Sequence, residues 1–229
     1  MRASSVVPLG DLPGDRPAGM AAHAAAGLGV LSGAALGAMY ALEVPRGGPY
    51  RFGAVNDFAG GLFFAATIPV IVQVHRRVGD GPWSRTAETA VITSSAAAAV
   101  SGVLLAFHRI PFKPSTAISI AGIAGQAVWA AVTHHKLLRG PGYPRGLARA
   151  GRAIGCGMLA GLPLAAAGFA VPRLPVLKWA MWGIGGTLGA ASYLAWPVWF
   201  GACGRQLRGL SGTQQATTFG ATQPATPGP

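Results

Sequence analysis

The residue types that could carry metal, nucleophilic or acid–base chemistry are few in this chain and form no recognised motif. The two cysteines, Cys156 and Cys203, cannot hold a zinc ion or an iron–sulfur cluster alone, and the 5 histidines show no HExxH or similar spacing. No GxSxG, P-loop or carboxylate pair inside an apolar segment occurs. We therefore expect no metal, no cofactor and no catalytic residue, and we expect that the protein is not an enzyme.

The acids nearest to apolar segments are Asp57 and Glu88. Both stand where an uncharged stretch begins, and a solvated or ion-paired structural role is more common there than proton transfer. Cys156 and Cys203 fall near the start of the fifth and the end of the sixth apolar segment. A disulfide between them is possible if those segments touch, and two buried free thiols are the favoured alternative.

The elements that must position these residues are strongly apolar. Of the 229 residues, 51% are hydrophobic, only 10% are charged and 35 are glycine, which is typical of integral membrane proteins. A helix crosses a hydrocarbon layer of about 30 Å with about 20 residues. Because no alternating strand pattern is present, the sequence predicts an all-α, polytopic transmembrane helix bundle of about six spans. The uncharged runs cover residues 17–42, 58–74, 89–107, 114–135, 153–172 and 179–204.

The order of charged and apolar segments predicts five parts of the chain. Prolines and acids near the N-terminus argue against an amphipathic mitochondrial presequence, so we expect an irregular arm there. The polar C-terminal tail, rich in Thr, Gly and Pro, is expected to be disordered. The parts are an N-terminal arm at 1–20, a four-helix membrane core at 21–138, a basic loop at 139–152, two additional transmembrane helices at 153–204 and the tail at 205–229.

Small residues recur four apart in several spans, which places them on one face of a helix where another backbone can approach closely. Gly29, Gly33 and Gly37 predict a groove that seats the second or third span, so Gly33→Leu should prevent that approach. The third span is so rich in small residues that we expect it to contact the first. The predicted helix-packing residues are Gly29, Gly33, Gly37, Gly61, Ala65, Ser94, Ala98 and Gly102.

Polar and aromatic residues in the later spans have structural interpretations as well. Gln126 could form an interhelical hydrogen bond, which we favour, or could line a pore. Four tryptophans stand near the two ends of the last span, as expected of aromatic belts at the membrane interfaces. They are Trp179, Trp182, Trp196 and Trp199.

A net charge of +12 raises the question of which partner the cations meet. Nucleic acid is excluded because the cations lie in short loops without a nucleic-acid-binding motif. Five of them follow the fourth span and could bind cardiolipin or another phospholipid headgroup, or an acidic partner surface; a role in topology alone is the alternative. These five are Lys136, Arg139, Arg145, Arg149 and Arg152. Of the 18 Lys and Arg residues, 12 fall on the side of both termini, which the positive-inside rule places towards the cytoplasm.

Three stretches together resemble the inner-membrane translocase family, also called the preprotein and amino acid transporter family. They are FAGGLFFAA from Phe58, RRVGDGPW from Arg76 and AVITSSAAAAVSG from Ala90, and the resemblance covers about residues 21–138. Gly37, Tyr40 and Arg51 also fit the first part of the family signature, whereas the spacing beyond Arg51 departs from it. In the short loop the motif residues are Arg76, Asp80, Pro82 and Trp83, with Trp83 expected at the headgroup level.

The resemblance implies two functions within a large inner-membrane complex. The first is a non-catalytic accessory membrane subunit of mitochondrial respiratory complex I (NADH:ubiquinone oxidoreductase) that stabilises and assembles the membrane arm. The alternative is a channel or scaffold subunit of a mitochondrial inner-membrane preprotein translocase. The expected partners are other subunits and membrane lipids, and the expected location is the mitochondrial inner membrane, with a plastid envelope as the other possibility. In this family both termini face the intermembrane space, which conflicts with the positive-inside count.

A third function considered from the sequence is that of a small-solute transporter built from the six helices. Such a protein should carry a polar site near the middle of the membrane and two internally similar halves. The sequence shows neither feature clearly. Between the two functions that the resemblance implies, the absence of an acid inside any predicted span, together with the basic loops, favours the accessory subunit over a translocase channel, which should expose a negatively charged groove.

Overall fold

A computed structural model describes residues 9–78, 81–140, 142–170 and 175–209, without the side chains of 82–83, 168–170 and 175. Within these ranges the chain is helical and contains no strand, which confirms the predicted helical bundle. The first helix continues through a π-helical turn, Met39–Glu43, and a 3-10 turn, Val44–Arg46. The six helices are α1 Asp15–Ala38, α2 Arg51–His75, α3 Pro82–Ala106, α4 Phe112–Leu137, α5 Arg145–Ala170 and α6 Pro175–Leu207.

Five helices in the described part of the chain are long and apolar enough to cross a membrane. The sixth, α6, is longer than any of them at 33 residues and is not among these five. The chain is therefore a multi-pass membrane protein. The five spans are Asp15–Arg46, Arg51–His75, Ser84–Ala106, Phe112–Leu137 and Arg145–Ala167.

The helices form a closed ring in chain order. Each helix packs on its neighbours in sequence, and α6 returns to pack on α1. The short connections make neighbours antiparallel, so the start of α1 and the end of α6 lie at one face of the bundle. We call this face, with Asp15 and Leu207, the terminal face, and the opposite face, with Arg46 and Phe112, the distal face. Since α2 lies between α1 and α3 in the ring, the expected packing of the third span on the first is wrong; α3 packs on α2 and α4.

Three helices begin at charged residues rather than where the uncharged runs begin. Helix α1 starts at Asp15, within the predicted arm, and α5 starts at Arg145, within the predicted basic loop. Helix α2 starts at Arg51 because the Glu43 carboxylate accepts hydrogen bonds from the backbone N–H groups of Arg51 (2.6 Å) and Phe52 (3.0 Å), which caps the helix. As a result, Asp57 lies well inside α2 and not at a span end.

Glycines allow close backbone contact between α2 and α3. A Cβ atom placed on Gly61 would lie 2.9 Å from the carbonyl oxygen of Ala99, and one on Gly102 would lie 3.0 Å from the Cα atom of Gly61. Ala98 faces α4 instead, because a Cβ atom on Gly122 would lie 2.7 Å from the Cβ atom of Ala98. Ser94 likewise faces α4, at Gly125. The small residues of α3 thus serve two neighbours, whereas Ala65 of α2 is exposed.

The three glycines of α1 differ in what they face. A Cβ atom on Gly29 would lie 2.6 Å from the Cγ atom of Pro197 in α6 and 3.2 Å from the ring of Phe63 in α2. One on Gly33 would make an ordinary contact with the Leu194 side chain at 3.7 Å, and one on Gly37 would meet nothing within 4 Å. Only Gly29 is required for a close approach, and its main neighbour is α6, which differs from the predicted seating of the second or third span.

Candidate functional site: a central cavity

The ring of helices encloses a cavity of about 930 Å³ that all six helices line. Its lining on α4 runs from Phe112 to Ile123, so the cavity extends about 16 Å inwards from the distal face at about 1.5 Å per helical residue. Aromatic side chains that are largely exposed stand at its mouth, including Tyr40 and Tyr50. The cavity therefore opens at the distal face and ends near the middle of the bundle.

The cavity exists because the inward-facing positions of the distal half carry small side chains. Half of the lining residues are Gly, Ala, Ser or Thr. A ring of six helices leaves space at its centre unless large side chains fill it, and here Gly186 leaves that space open. A Cβ atom on Gly186 would meet nothing within 4 Å. In the terminal half, by contrast, Ile71 and Phe200 are fully buried and fill the centre.

The floor of the cavity is a hydrogen-bonded cluster around Gln126. The Gln126 Nε2 atom donates to Thr67 Oγ1 of α2 (2.7 Å) and to Ser95 Oγ of α3 (3.1 Å). The Trp196 Nε1 atom of α6 donates to Gln126 Oε1 (3.1 Å). Gln126 thus makes the interhelical hydrogen bonds favoured from the sequence, and it also borders a second void of about 40 Å³ beneath the main cavity.

Below this floor, aromatic rings close the terminal half of the bundle. Trp196 and Trp199 are each only 2% exposed and stack with centroids 5.4 Å apart. The His134 ring packs edge-on against Trp199, with centroids 4.9 Å apart. The expectation that Trp196 and Trp199 lie in an interfacial aromatic belt is therefore wrong, because the face of α6 that carries them turns towards the ring interior. Trp179, at the distal end of α6, is exposed.

At the terminal face the bundle is closed by a buried ion pair. Arg77 Nη2 lies 2.6 Å from Asp15 Oδ2, and Gln73 Nε2 donates to Asp15 Oδ1 at 2.9 Å. The Asp15 carboxylate also accepts hydrogen bonds from the backbone N–H groups of Gly10 and Leu12. These contacts hold the start of α1 against the end of α2, so the face opposite the cavity mouth is sealed by side chains.

One wall of the cavity carries a chain of polar side chains from α1 to α2. Ser32 Oγ donates to Asn56 Oδ1 (2.8 Å), and Asn56 Nδ2 donates to Asp57 Oδ1 (3.3 Å). Among the described residues that line the cavity, Asp57 is the only carboxylate, and none is Lys or Arg. The cavity wall is thus mainly apolar with one carboxyl group held in a fixed position.

The described residues form neither a cluster of metal ligands nor a disulfide. No three His, Cys, Asp or Glu side chains within them approach one another as metal ligands would. Cys203 is buried and Cys156 is exposed, and both are free thiols in the structure, so the expectation that both thiols are buried is wrong for Cys156. A large cavity with few polar groups is suited to binding a molecule.

The residues predicted for the loop after α2 are only partly described. Arg76 is exposed and its Nη1 atom donates to Gln73 Oε1 at 3.2 Å. Asp80 lies outside the described residues, as do the side chains of Pro82 and Trp83, although α3 begins at Pro82.

The five predicted headgroup-binding cations all lie on the terminal face, away from the cavity mouth. Each is exposed, and none forms an ion pair with another residue of the described ranges. They belong to the end of α4, the connection to α5 and the start of α5: Lys136, Arg139, Arg145, Arg149 and Arg152.

Sequence analysis identified Asp57 but not the cavity that surrounds it. The signal that could have revealed its position is Glu43, an acid eight residues before Arg51. Its carboxylate caps α2, so the helix begins before the start of the uncharged run 58–74. Comparison with known proteins adds no relative: no family model matches the chain, and no curated protein or solved structure matches it.

Proposed function

We propose that this membrane protein is a carrier for a small, elongated and largely apolar molecule, which binds in the central cavity. The observation that supports this function is the cavity itself, because about 930 Å³ falls within the range of about 300 to 1,000 Å³ usual for small-molecule sites. Its lining combines a mainly apolar surface with a few fixed polar groups, Ser32, Asn56 and Asp57. Such a composition binds an apolar body and orients one polar end.

The one-sided opening supports a carrier in particular. The cavity is accessible from the distal face and closed towards the terminal face by the Gln126 cluster, the aromatic rings and the Asp15–Arg77 ion pair. These closing contacts are made by side chains, which can separate without unfolding a helix. Carriers that work by alternating access bind their substrate near the middle of the membrane, between elements that move against each other. By the positive-inside count, the distal face of this proposed carrier lies away from the cytoplasm.

Binding is tested by filling the cavity. Gly186 lines it and has open space at its Cβ position, so Gly186→Leu should occupy the site without displacing a helix. The matched control is Gly183→Leu, three residues earlier in α6, where a Cβ atom also meets nothing within 4 Å but which lies outside the cavity lining. The probe is N-phenyl-1-naphthylamine, a neutral dye that fluoresces in apolar sites, with protein-free nanodiscs as the blank. Dye binding should be lost in Gly186→Leu and kept in Gly183→Leu.

Alternating access is tested with a thiol placed in the cavity. Ser119 of α4 lines the cavity, so Ser119→Cys in a Cys156→Ser background puts a reactive group there while Cys203 stays buried. The protein is reconstituted in one orientation and treated with a membrane-impermeant maleimide from either side. A carrier should be labelled quickly from the distal face and slowly from the terminal face. Labelling from the distal face alone would contradict a carrier.

Membership of a larger complex stays a separate hypothesis from the sequence. On this hypothesis the protein is an accessory subunit of respiratory complex I in the mitochondrial inner membrane, or alternatively a subunit of a preprotein translocase. The five terminal-face cations would bind phospholipid. A blue native gel of solubilised membranes carrying a tagged copy, followed by mass spectrometry, tests it. Migration with NADH dehydrogenase activity would support the accessory subunit, and migration with import components would support the translocase. Migration as a single small species would argue against both.

A further inference from the structure

We propose that the carried molecule is a lipophilic cation and that Asp57 is the residue that selects its charge. This inference rests on the proposed function, because it assigns the chemical class of the molecule in the same cavity. The positively charged group would lie against the Asp57 carboxylate, and the apolar body would fill the rest of the cavity. Asp57 is then a specificity-determining residue, with Asn56 and Ser32 as positioning residues.

The geometry leaves one side of the Asp57 carboxylate available. Oδ1 accepts the hydrogen bond from Asn56 Nδ2 at 3.3 Å, and Asn56 is itself held by Ser32 Oγ of α1. Among the described residues, no side chain donates to Oδ2 of Asp57, and none forms an ion pair with it. A partly buried carboxylate therefore lines the cavity wall, and one of its oxygens accepts no hydrogen bond from a described side chain.

The charge balance of the cavity indicates a cation. A carboxylate removed from bulk water is costly unless a positive charge lies beside it. Of the two acids that are buried among the described residues, Asp15 has such a partner in Arg77 at 2.6 Å, and Glu43 accepts hydrogen bonds from the backbone N–H groups at the start of α2. No Lys or Arg is present in the described lining, and the one histidine in it, His108, stands near the distal mouth at the end of α3. The missing positive charge is what a cationic molecule would supply.

The rest of the lining argues for an organic cation rather than a bare metal ion. An inorganic cation would need several oxygen ligands, whereas Asp57 is the only carboxylate in the described lining and no group of three His, Cys, Asp or Glu side chains that could hold a metal lies among the described residues. Apolar and aromatic side chains form most of the wall, and Phe64 and Tyr193 lie along it. Aromatic faces attract organic cations, and apolar walls bury their hydrocarbon parts.

A pair of rigid probes of opposite charge tests the inference. Tetraphenylphosphonium and tetraphenylborate have nearly the same size and shape, so the difference in their binding reports the charge preference of the site. Binding of each is measured by equilibrium dialysis to the full chain in nanodiscs, and partition into protein-free nanodiscs is subtracted. The variants are Asp57→Asn, which keeps the shape and removes the charge, and the pair Gly186→Leu and Gly183→Leu.

The wild-type protein should bind the phosphonium at least about tenfold more tightly than the borate, because one close charge contact contributes roughly that factor. Asp57→Asn should weaken phosphonium binding by about tenfold or more and should leave binding of the neutral dye unchanged. Gly186→Leu should abolish binding of both the phosphonium and the neutral dye, whereas Gly183→Leu should leave both bound.

Two results would overturn the proposals, and they are distinguishable. If Gly186→Leu abolishes phosphonium binding but Asp57→Asn does not weaken it, or if the borate binds as well as the phosphonium, the cavity binds molecules but Asp57 does not select their charge. If Gly186→Leu leaves binding of both the dye and the phosphonium unchanged, the cavity is not the binding site, and the proposed function fails together with this inference. The comparison of the two ions in the wild-type protein needs no variant, so it stands even if Asp57→Asn fails to fold.

Discussion

Arg77 and Asp15 form an ion pair in which Nη2 of one lies 2.6 Å from Oδ2 of the other, and their side chains are 0% and 1% exposed. Arg77 also donates to the carbonyl oxygen of Gln73 at 2.6 Å, and Gln73 donates to Asp15. The start of α1 can be buried at the terminal face because its one acid is neutralised there. The same contacts keep the terminal face closed while the distal half remains open.

Breaking this ion pair from one side should strongly destabilise the protein. Asp15→Asn keeps the shape of the side chain but removes the carboxylate charge that lies 2.6 Å from the buried Arg77 guanidinium. Breaking a buried ion pair from one side typically costs about 3 to 5 kcal/mol. We expect a clear drop in the melting temperature of the purified protein in detergent, followed by loss of monodisperse protein on size exclusion. Asp11→Asn is the control, since Asp11 is exposed in the same segment. Equal melting temperatures for the two variants would show that the ion pair contributes little.

The helical bundle itself could be predicted from the sequence. Charged residues are grouped between uncharged runs, and each run is long enough for a membrane-crossing helix, so the number and order of the helices follow from composition. The described part of the chain forms six α-helices, five of which are apolar and long enough to span. The helix starts were less predictable, because Asp15 is neutralised by Arg77, 62 residues later in the chain, and such a partner cannot be identified from local composition.

The cavity could not be predicted, because it depends on positions that six helices bring together. Gly185 and Gly186 are neighbours in sequence and look alike. A Cβ atom on Gly185 would lie 2.5 Å from the backbone nitrogen of Ala165, so Gly185 serves the packing of α5 on α6. Gly186 faces the open space instead. In the same way, the sequence does not show which way Trp196 points, and only the closed ring reveals that it turns inwards.

The glycines of α1 should respond unequally to leucine. Gly29→Leu should separate α1 from α6, because a Cβ atom there would lie 2.6 Å from the Pro197 ring, and it should markedly lower the folded yield. Gly33→Leu should have a mild effect, since only the end of the Leu194 side chain is near. Gly37→Leu, with open space at its Cβ position, is the control and should be tolerated. The measurement is the fraction of monodisperse protein after solubilisation; equal yields for all three would mean that α1 does not pack on α6 as described.

Gln126 should be coupled energetically to Trp196. Gln126→Met keeps an unbranched side chain of similar length but leaves the buried Trp196 N–H without an acceptor, at a cost of about 1 to 3 kcal/mol. Trp196→Phe removes the donor from the other side. Because the two variants remove the same hydrogen bond, the double variant should be less destabilised than the sum of the single variants. The unfolding free energies of the wild-type protein and the three variants are measured in mixed micelles with a denaturing detergent, and strict additivity would show that the hydrogen bond is not formed.

Tyr143 should make the protein less stable at high pH. Burial raises the pKa of the Tyr143 hydroxyl, which lies in the connection between α4 and α5, well above its usual value near 10. The neighbouring Cys203 thiol of α6 raises this pKa further, the Arg77 guanidinium at the end of α2 opposes the shift, and the neutral His134 ring of α4 packs 6.0 Å away. Above about pH 10 the unfolded chain loses the Tyr143 proton while the folded chain keeps it, so the free energy of unfolding falls as the pH rises.

Tyr143 contributes at most about 1.4 kcal/mol per pH unit to the fall in the free energy of unfolding, which is the value for one proton bound only by the folded state. Tyr143→Phe removes this contribution, so its melting temperature should decline less than that of the wild-type protein between about pH 9 and pH 11. Tyr40→Phe is the control, because Tyr40 is 63% exposed at the cavity mouth and should keep the wild-type pH profile. Parallel pH profiles for Tyr143→Phe and the wild-type protein would show that the Tyr143 hydroxyl is not buried in the folded state.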